Sequence, residues 1–426
     1  MTESSSSGLA PLRPEDAGRA CAQASIPAVI LEVTRRLQDA GYAALLVGGA
    51  VRDCLLGRPV GDWDVATSAT PAEVMEVFRR TIPTGVAHGT VTVLIGGGEE
   101  RRAVEVTTFR GESGYRDGRR PEAVTFLRDV REDLERRDFT VNAFAFDPIT
   151  GDFFDEFDGL GDLHRGVIRA VGDPLDRFAE DGLRVIRGLR FCATLGFDIE
   201  EATFRAIEPR LPVFEKVAKE RIRVELFKLL GALAPSKALA AMWASRLWER
   251  VLPAVEEGAQ EALMLSVDEA AANPLVRLTM ILRAAAPGGA LTVAETLDAL
   301  KLSRAERRRC DALVGPLVSL VVSADPTETR RVASLLGREH VDDACAVLSV
   351  DPSTRARVLA ALDGAPLTAK ELALSGGELI KRGLVAPGPA VRELQEALLA
   401  WTFEDPTRNT TGALTARANE LTAAAD

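Results

Sequence analysis

Cysteine, histidine, long apolar runs and surplus positive charge are all scarce in this chain of 426 residues. The five cysteines (Cys21, Cys54, Cys192, Cys310, Cys345) are scattered and no CxxC pair occurs. That usage excludes a disulfide framework and gives zinc no support, so a reduced, cytoplasmic protein is expected. None of the three histidines (His88, His164, His340) adjoins an aspartate, which excludes a histidine-rich metal phosphohydrolase module. No apolar run is long enough to span a bilayer, so no membrane partner is expected. Residues 1–25 carry Ser4 to Ser7, prolines and mixed charge, with no hydrophobic core flanked by basic residues. They read as a disordered tail rather than a secretory signal. The net charge of −11 argues against a generic nucleic-acid binder. RNA would have to be held by a local patch, and arginines do concentrate between Arg101 and Arg137, interleaved with acids.

What is present is enough apolar material for a folded core, 46% of the chain, in two to four domains. The informative stretch begins at Ala43. Ala43 to Val47 reads as a buried strand that stops at Gly48-Gly49. A short helix, Ala50 to Leu56, follows, and a second strand opens with Asp62-Trp63-Asp64-Val65. Glycines permit close backbone approach, and a helix start offers amide donors, which together suit a phosphate. Residues two apart in a strand share a face, so Asp62 and Asp64 present paired carboxylates. Such hard oxygen ligands suit Mg²⁺ held jointly with substrate phosphates. Alone, a glycine pair is a turn and an Asp-x-Asp pair is solvated surface. The combination at this spacing carries the signal.

Gly48-Gly49-x-Val51-Arg52-Asp53 followed by Asp62-x-Asp64 resembles the first motif of the nucleotidyltransferase superfamily. More narrowly, it is similar to the class II template-independent RNA polymerases: the CCA-adding tRNA nucleotidyltransferases and bacterial poly(A) polymerases. The resemblance is close over residues 27–232. It implies that Gly48, Gly49 and Arg52 cradle a triphosphate.

Further along, Ile26 to Ala40 has helical periodicity, and Thr70-Pro71-Ala72-Glu73 reads as a capped helix start. His88 to Ile95 and Ala103 to Phe109 read as antiparallel partners across Gly96-Gly97-Gly98. Glu105 alternates with Val104 and Val106, and the pattern alone makes it a solvated glutamate. The resemblance implies a third catalytic carboxylate at this position. Arg110 to Pro121 has three glycines and no periodicity, so it reads as a mobile loop. It resembles the flexible loop around the A-adding step of CCA-adding enzymes, which enzymes adding only two cytidines tend to lack.

Glu132 to Ala143 is a solvated helix face by charge alone, but resembles the family motif Arg-Arg-Asp-x-Thr-x-Asn-Ala. That likeness implies that Arg137 binds nucleotide, with Asp138 and Asn142 shaping the sugar and phosphate side. Arginine suits phosphate through bidentate, charge-assisted hydrogen bonds. In Asp173 to Phe191, Arg184, Arg187 and Arg190 step by three, and Asp181 and Arg184 read as neighbours on one helix face. The ordinary reading is a salt-bridged surface helix, worth tenths of a kcal/mol per pair. The stretch also resembles the family's Glu-Asp-x-x-Arg motif. A carboxylate accepts from an exocyclic amine and an arginine donates to a ring acceptor, so one such pair can select C and A against U and G without a template. Gly182 stands where many relatives carry proline, and glycine weakens a helix by about 1 kcal/mol relative to alanine. Lys219 to Leu230 is an amphipathic helix resembling the last family motif, with no catalytic role expected.

The expected fold is therefore α+β: a small mixed or antiparallel-sheet nucleotidyltransferase head followed by an all-α neck, body and tail. The expected boundaries are a tail to residue 25, a head over 26–165, a neck over 166–232 and a tRNA-binding helical body and tail over 233–426. Asp62 and Asp64 are the expected metal ligands and, with Glu105, the catalytic carboxylates. Gly48, Gly49, Arg52, Arg137, Asp181, Arg184, Arg187 and Arg190 are the expected nucleotide-binding residues. The implied reaction adds C, C and A from CTP and ATP to the 3′ end of tRNA with Mg²⁺. Poly(A) polymerase, a partial CC- or A-adding enzyme, and a silent RNA- or nucleotide-binding protein are the alternatives. The acidic balance and the Tyr115 loop disfavour the first, and intact Asp62, Asp64 and Glu105 disfavour the last.

Overall fold

The computed structural model describes residues 13–98, 101–116, 120–253, 260–285 and 290–423. They form two compact units. The first runs to Leu229 and includes Lys237–Arg250; the second holds Leu230–Ser236 and the chain from Val251.

The first unit opens with α1 (Pro14–Ala22) and α2 (Ala28–Asp39). Then come β1 (Ala44–Val47), α3 (Gly49–Leu55), β2 (Asp64–Thr67), α4 (Pro71–Val77), β3 (Thr81–Gly85), β4 (Thr90–Ile95) and β5 (Arg102–Thr108). A hairpin of β6 (Arg110–Arg116) and β7 (Arg120–Phe126) leads to α5 (Val130–Glu135), β8 (Phe144–Phe146), β9 (Phe153–Asp155) and α6 (Gly159–Arg165). Seven strands make one mixed sheet in the order β3-β4-β5-β2-β1-β8-β9. Its β2–β5 pair is parallel and its other pairs are antiparallel. The unit continues with α7 (Pro174–Glu180), α8 (Leu183–Leu195), α9 (Glu201–Arg205), α10 (Leu211–Phe214) and α11 (Lys219–Leu230), and takes in most of α12 (Ser236–Ala244) and α13 (Trp248–Val251).

Strand alternation decides where the functional side chains lie. Leu46, Val65 and Val106 pack on one face with Ile30, Val33, Leu37 and Val74 of the covering helices. Leu45, Val47 and Ala66, at the alternate positions, pack on the other with Leu134, Ala143 and Val171. Val65 is in register with Val106, so Asp64 and Glu105, each one residue earlier, share this second face at adjoining positions. The Thr70–Glu73 capping box forms as the sequence predicts.

Four local expectations are corrected. Residues 14–22 are helix α1 rather than tail, because Ala17 and Cys21 are buried in the core, with the Cys21 thiol hydrogen-bonded to Cys54. The arginine-rich stretch from Arg110 is a hairpin with a backbone ladder from Arg110–Phe126 to Arg116–Arg120, which needs no apolar periodicity. Residues 117–119 of that expected loop lie outside the described residues. Strand β2 starts at Asp64, leaving Asp62 just ahead of it. Asp181 lies off α8, between α7 and the N-cap Gly182.

The second unit is helical among the described residues, with helices such as Pro274–Ala285, Pro326–Leu336 and Pro389–Glu404. Prolines start these helices where the missing N–H costs nothing. Its least expected core group is Arg277, 1% exposed, which donates to the carbonyls of Leu230, Ala232 and Ala270. No helix among the described residues is long and apolar enough to cross a membrane.

Gly182 is fixed by contact rather than by φ. A Cβ there would meet the Phe214 amide nitrogen and the Val213 carbonyl oxygen, both at 2.8 Å. These are backbone atoms that cannot rotate away. At this N-cap position alanine gains nothing over glycine. The close approach adds a clash, and we expect Gly182→Ala to lose about 1–3 kcal/mol, read as a lower urea midpoint. An unchanged or raised midpoint would show that α10 gives way freely.

Candidate active site

A cavity of about 630 Å³ opens on the second face of the sheet. Six arginines (Arg110, Arg136, Arg137, Arg184, Arg187, Arg221) and four aspartates (Asp64, Asp133, Asp138, Asp181) line it, with His88, Thr90 and Thr107.

At the end of β1 the chain turns at Gly48, with φ 74°. A Cβ here would lie 2.7 Å from Nη1 of Arg137, so glycine serves both the left-handed turn and the approach of that guanidinium. The Gly48 N–H donates to the Phe144 carbonyl at 3.2 Å, so this amide is committed to the fold.

Asp64 is the first residue of β2 and opens to the cavity. The cavity walls withdraw bulk water from its carboxyl, which pushes its pKa up; Arg137 pulls it down, and the negative charges of Glu105 and Asp62 push it further up. Asp64 with the two neighbouring carboxylates that raise its proton affinity is a donor set that fits a divalent cation. Among the described residues no three His, Cys, Asp or Glu side chains close into a metal-ligating cluster.

Arg137 donates from Nη2 to Asp133 at 3.2 Å and from Nη1 to the Asn142 carbonyl at 3.4 Å. Asp133, on α5, is 1% exposed and also accepts from Arg136 at 2.7 Å and from the Arg110 amide at 3.3 Å. Burial pushes its carboxyl up, but Arg136 and Arg137 more than offset this and hold it below the ordinary value.

Asp138 ties this wall to α8. Its Oδ2 accepts from Nε and Nη2 of Arg187, at 2.9 and 2.5 Å. Its Oδ1 accepts from the Phe139 amide at 2.9 Å and from Asn142 Nδ2 at 3.0 Å. Asn142 in turn accepts from Nη1 of Arg52, whose Nε and Nη2 hold Asp53 at 2.9 and 3.0 Å. Burial works against the Asp138 charge, yet Arg187 and the Asn142 hydrogen bond depress its pKa far below the carboxylate range.

Asp181 accepts from the Leu183 amide through Oδ1 at 3.0 Å and from Arg221 through Oδ2 at 2.9 Å. Arg184 donates to Glu180, to the Arg177 carbonyl at 2.9 Å and to the Arg136 carbonyl at 2.8 Å. Arg190 donates to Glu225 at 2.7 Å and lies 3.6 Å over the Phe191 ring.

Of the expected residues, Asp64, Arg137, Asp181, Arg184 and Arg187 share the cavity wall, with Gly48 against Arg137. Arg52 and Arg190 do not line it; both are committed to carboxylates within the fold. Asp62 and Glu105 stand beside Asp64 rather than in the wall. Sequence reasoning gave no role to Asp133, Arg136 or Arg221. The spacing of Asp133 to Arg136 and Arg137, three and four residues, was the available signal for the first two.

Asp138→Asn removes the charge that Arg187 pairs with, and we expect a loss of about 3 kcal/mol near neutral pH. The folded pKa of Asp138 lies below its unfolded value of about 3.9, so the carboxylate's contribution is complete above that value and fades as pH falls through the folded one. The stability gap between the two proteins should therefore narrow below about pH 4, measured by urea unfolding. A gap that is constant from pH 7 to pH 3 would contradict the ion pairing.

Residues 44–169 match the poly A polymerase head domain family, and residues 196–258 match the family described as a probable RNA and SrmB-binding site of polymerase A. The CCA-adding enzyme of Limosilactobacillus fermentum is 40% identical over 403 residues, covering 91% of this chain and 96% of that enzyme. That of Pediococcus pentosaceus is 37% identical over 392 residues, with the same coverage. The crystal structure of the Bacillus stearothermophilus CCA-adding enzyme in complex with CTP superposes with a TM-score of 0.77 at 30% identity, covering 97% of this chain and 99% of that one. By sequence and by fold, the chain belongs to the CCA-adding enzymes, nucleotidyltransferases built on the poly A polymerase head.

Proposed function

We propose that the cavity is the active centre for template-independent addition of C, C and A, from CTP and ATP, to the 3′ end of tRNA in the cytoplasm. The observation that carries this reading is an arginine wall facing Asp64. Two of its buried donors, Nε of Arg137 and Nη1 of Arg221, have no partner within the protein. Buried donors left unpaired are costly and fit an anionic ligand.

Arg137 and the turn at Gly48 and Gly49 hold the triphosphate. Arg52 supports that turn from behind, through Asp53 and Asn142. Asp62 and Asp64 would hold Mg²⁺, which when bound supplies charge stabilisation for the attacking and leaving oxygens. Glu105, beside Asp64, activates the 3′-hydroxyl for in-line attack on the α-phosphate. A new P–O bond forms as the α–β bond breaks and pyrophosphate leaves. Asp181 and Arg184 read the base: the carboxylate accepts from the exocyclic amine and the guanidinium faces the ring acceptor. Arg187 positions the start of this motif through Asp138, and Arg190 holds α8 to α11 through Glu225.

The test uses purified protein, Mg²⁺ and tRNA transcripts ending before CCA, after C and after CC. Each receives labelled CTP, ATP, UTP or GTP alone, then CTP with ATP. Two cytidines and one adenosine followed by arrest are expected, with no incorporation when Mg²⁺ is chelated. A long adenosine ladder on any RNA, or no incorporation at all, would overturn the reading. In the same assay Asp64→Ala abolishes turnover and Glu105→Ala lowers it by at least about 100-fold. Near-normal turnover in Glu105→Ala would remove that residue from the chemistry.

A further inference from the structure

We propose that Arg221, on α11, sets base selectivity by fixing the plane of the Asp181 carboxylate. The inference rests on the reading that Asp181 meets the base. An aspartate carboxyl rotates broadly about its last torsion, because sp³–sp² torsions have shallow wells. Asp181 is held at both oxygens: Oδ1 by the Leu183 amide at 3.0 Å and Oδ2 by Arg221 Nη2 at 2.9 Å. The first anchor comes from the adjoining turn and holds one oxygen only. The second comes from a helix forty residues away and stops the group turning about the first. Each oxygen keeps a lone pair for the ligand.

Arg221 is not consumed by this duty. It lines the cavity, and its buried Nη1 has no partner within the protein. Arg184 has only part of its guanidinium left for the base, since Nη1 and Nη2 donate to Glu180 and two carbonyls. Arg221 therefore brings a reserve donor next to the acceptor it orients. A nucleotide with an amine beside a ring acceptor satisfies both at once. Uracil and guanine, with the reversed pattern, oppose carbonyl to carboxylate and leave Nη1 facing a donor.

Single-nucleotide incorporation decides the matter, with CTP against UTP on tRNA ending before CCA and ATP against GTP on tRNA ending in CC. Arg221→Gln, Arg221→Lys and Asp181→Asn are compared with the unaltered chain, and circular dichroism follows folding. Arg221→Gln should narrow both kcat/KM ratios by about tenfold or more, mainly by raising KM for CTP and ATP. Arg221→Lys, which keeps one donor, should restore part of the ratio, and it decides the question if the glutamine variant does not fold. Unchanged ratios in both Arg221 variants, with Asp181→Asn collapsing them, would make Arg221 a merely structural residue. Unchanged ratios in Asp181→Asn would overturn the base-reading role of Asp181, and this inference with it.

Discussion

The carboxylate of Asp138 is the joint on which the site is assembled. It is buried, carries a charge, and has every contact it needs: two nitrogens of Arg187, the side chain of Asn142 and its own following amide. A buried charge is tolerated only when paired and hydrogen-bonded in this way. Arg187 comes from α8 and Asn142 leads on to Arg52 beside the glycine turn, so one carboxylate relates the segment proposed to read the base to the turn proposed to hold phosphate. Satisfied networks of this kind hold a single geometry, because each partner would be costly to leave alone.

The acidic balance of the chain and the arginine lining of its cavity are compatible. Charge is sorted locally: Asp133 and Asp138 are spent holding Arg136, Arg137 and Arg187 in place, and the buried Nε of Arg137 has no partner within the protein. Asp64, on that wall, has like-charged neighbours, Glu105 and Asp62, that raise its pKa. The cavity is thus divided into a cation-seeking corner and an anion-seeking wall, the two halves that a metal-bound triphosphate requires.

Much of this was legible in the sequence. The glycine turn, the alternation around Glu105, the Thr70 cap and the helical arginines of α8 all express local periodicity or spacing, and the fold keeps them, whereas Arg136 and Arg137 follow the end of α5. What was not legible depends on contacts between distant segments. Helix α1 buries only small residues, Ala17 and Cys21, so its composition resembles a solvated tail. Arg221 sits on an ordinary amphipathic helix, and its importance comes from Asp181 forty residues earlier. Arg52 and Arg190 matched the motif yet point into the fold, because Asn142 and Glu225 claim them. A motif identifies which residues matter without saying whether each touches the ligand or the residue that does.

Gly182 limits how the chain can vary. The position where the family resemblance expects proline holds glycine, and the backbone of Val213 and Phe214 has no room there for a Cβ. Neither side can change alone: a proline would collide with α10, and a retreat of α10 without a side chain to fill the gap would leave a void beside the turn that carries Asp181. Such mutual dependence predicts epistasis, with variation at residue 182 among near relatives matched by compensating change around residues 213 and 214.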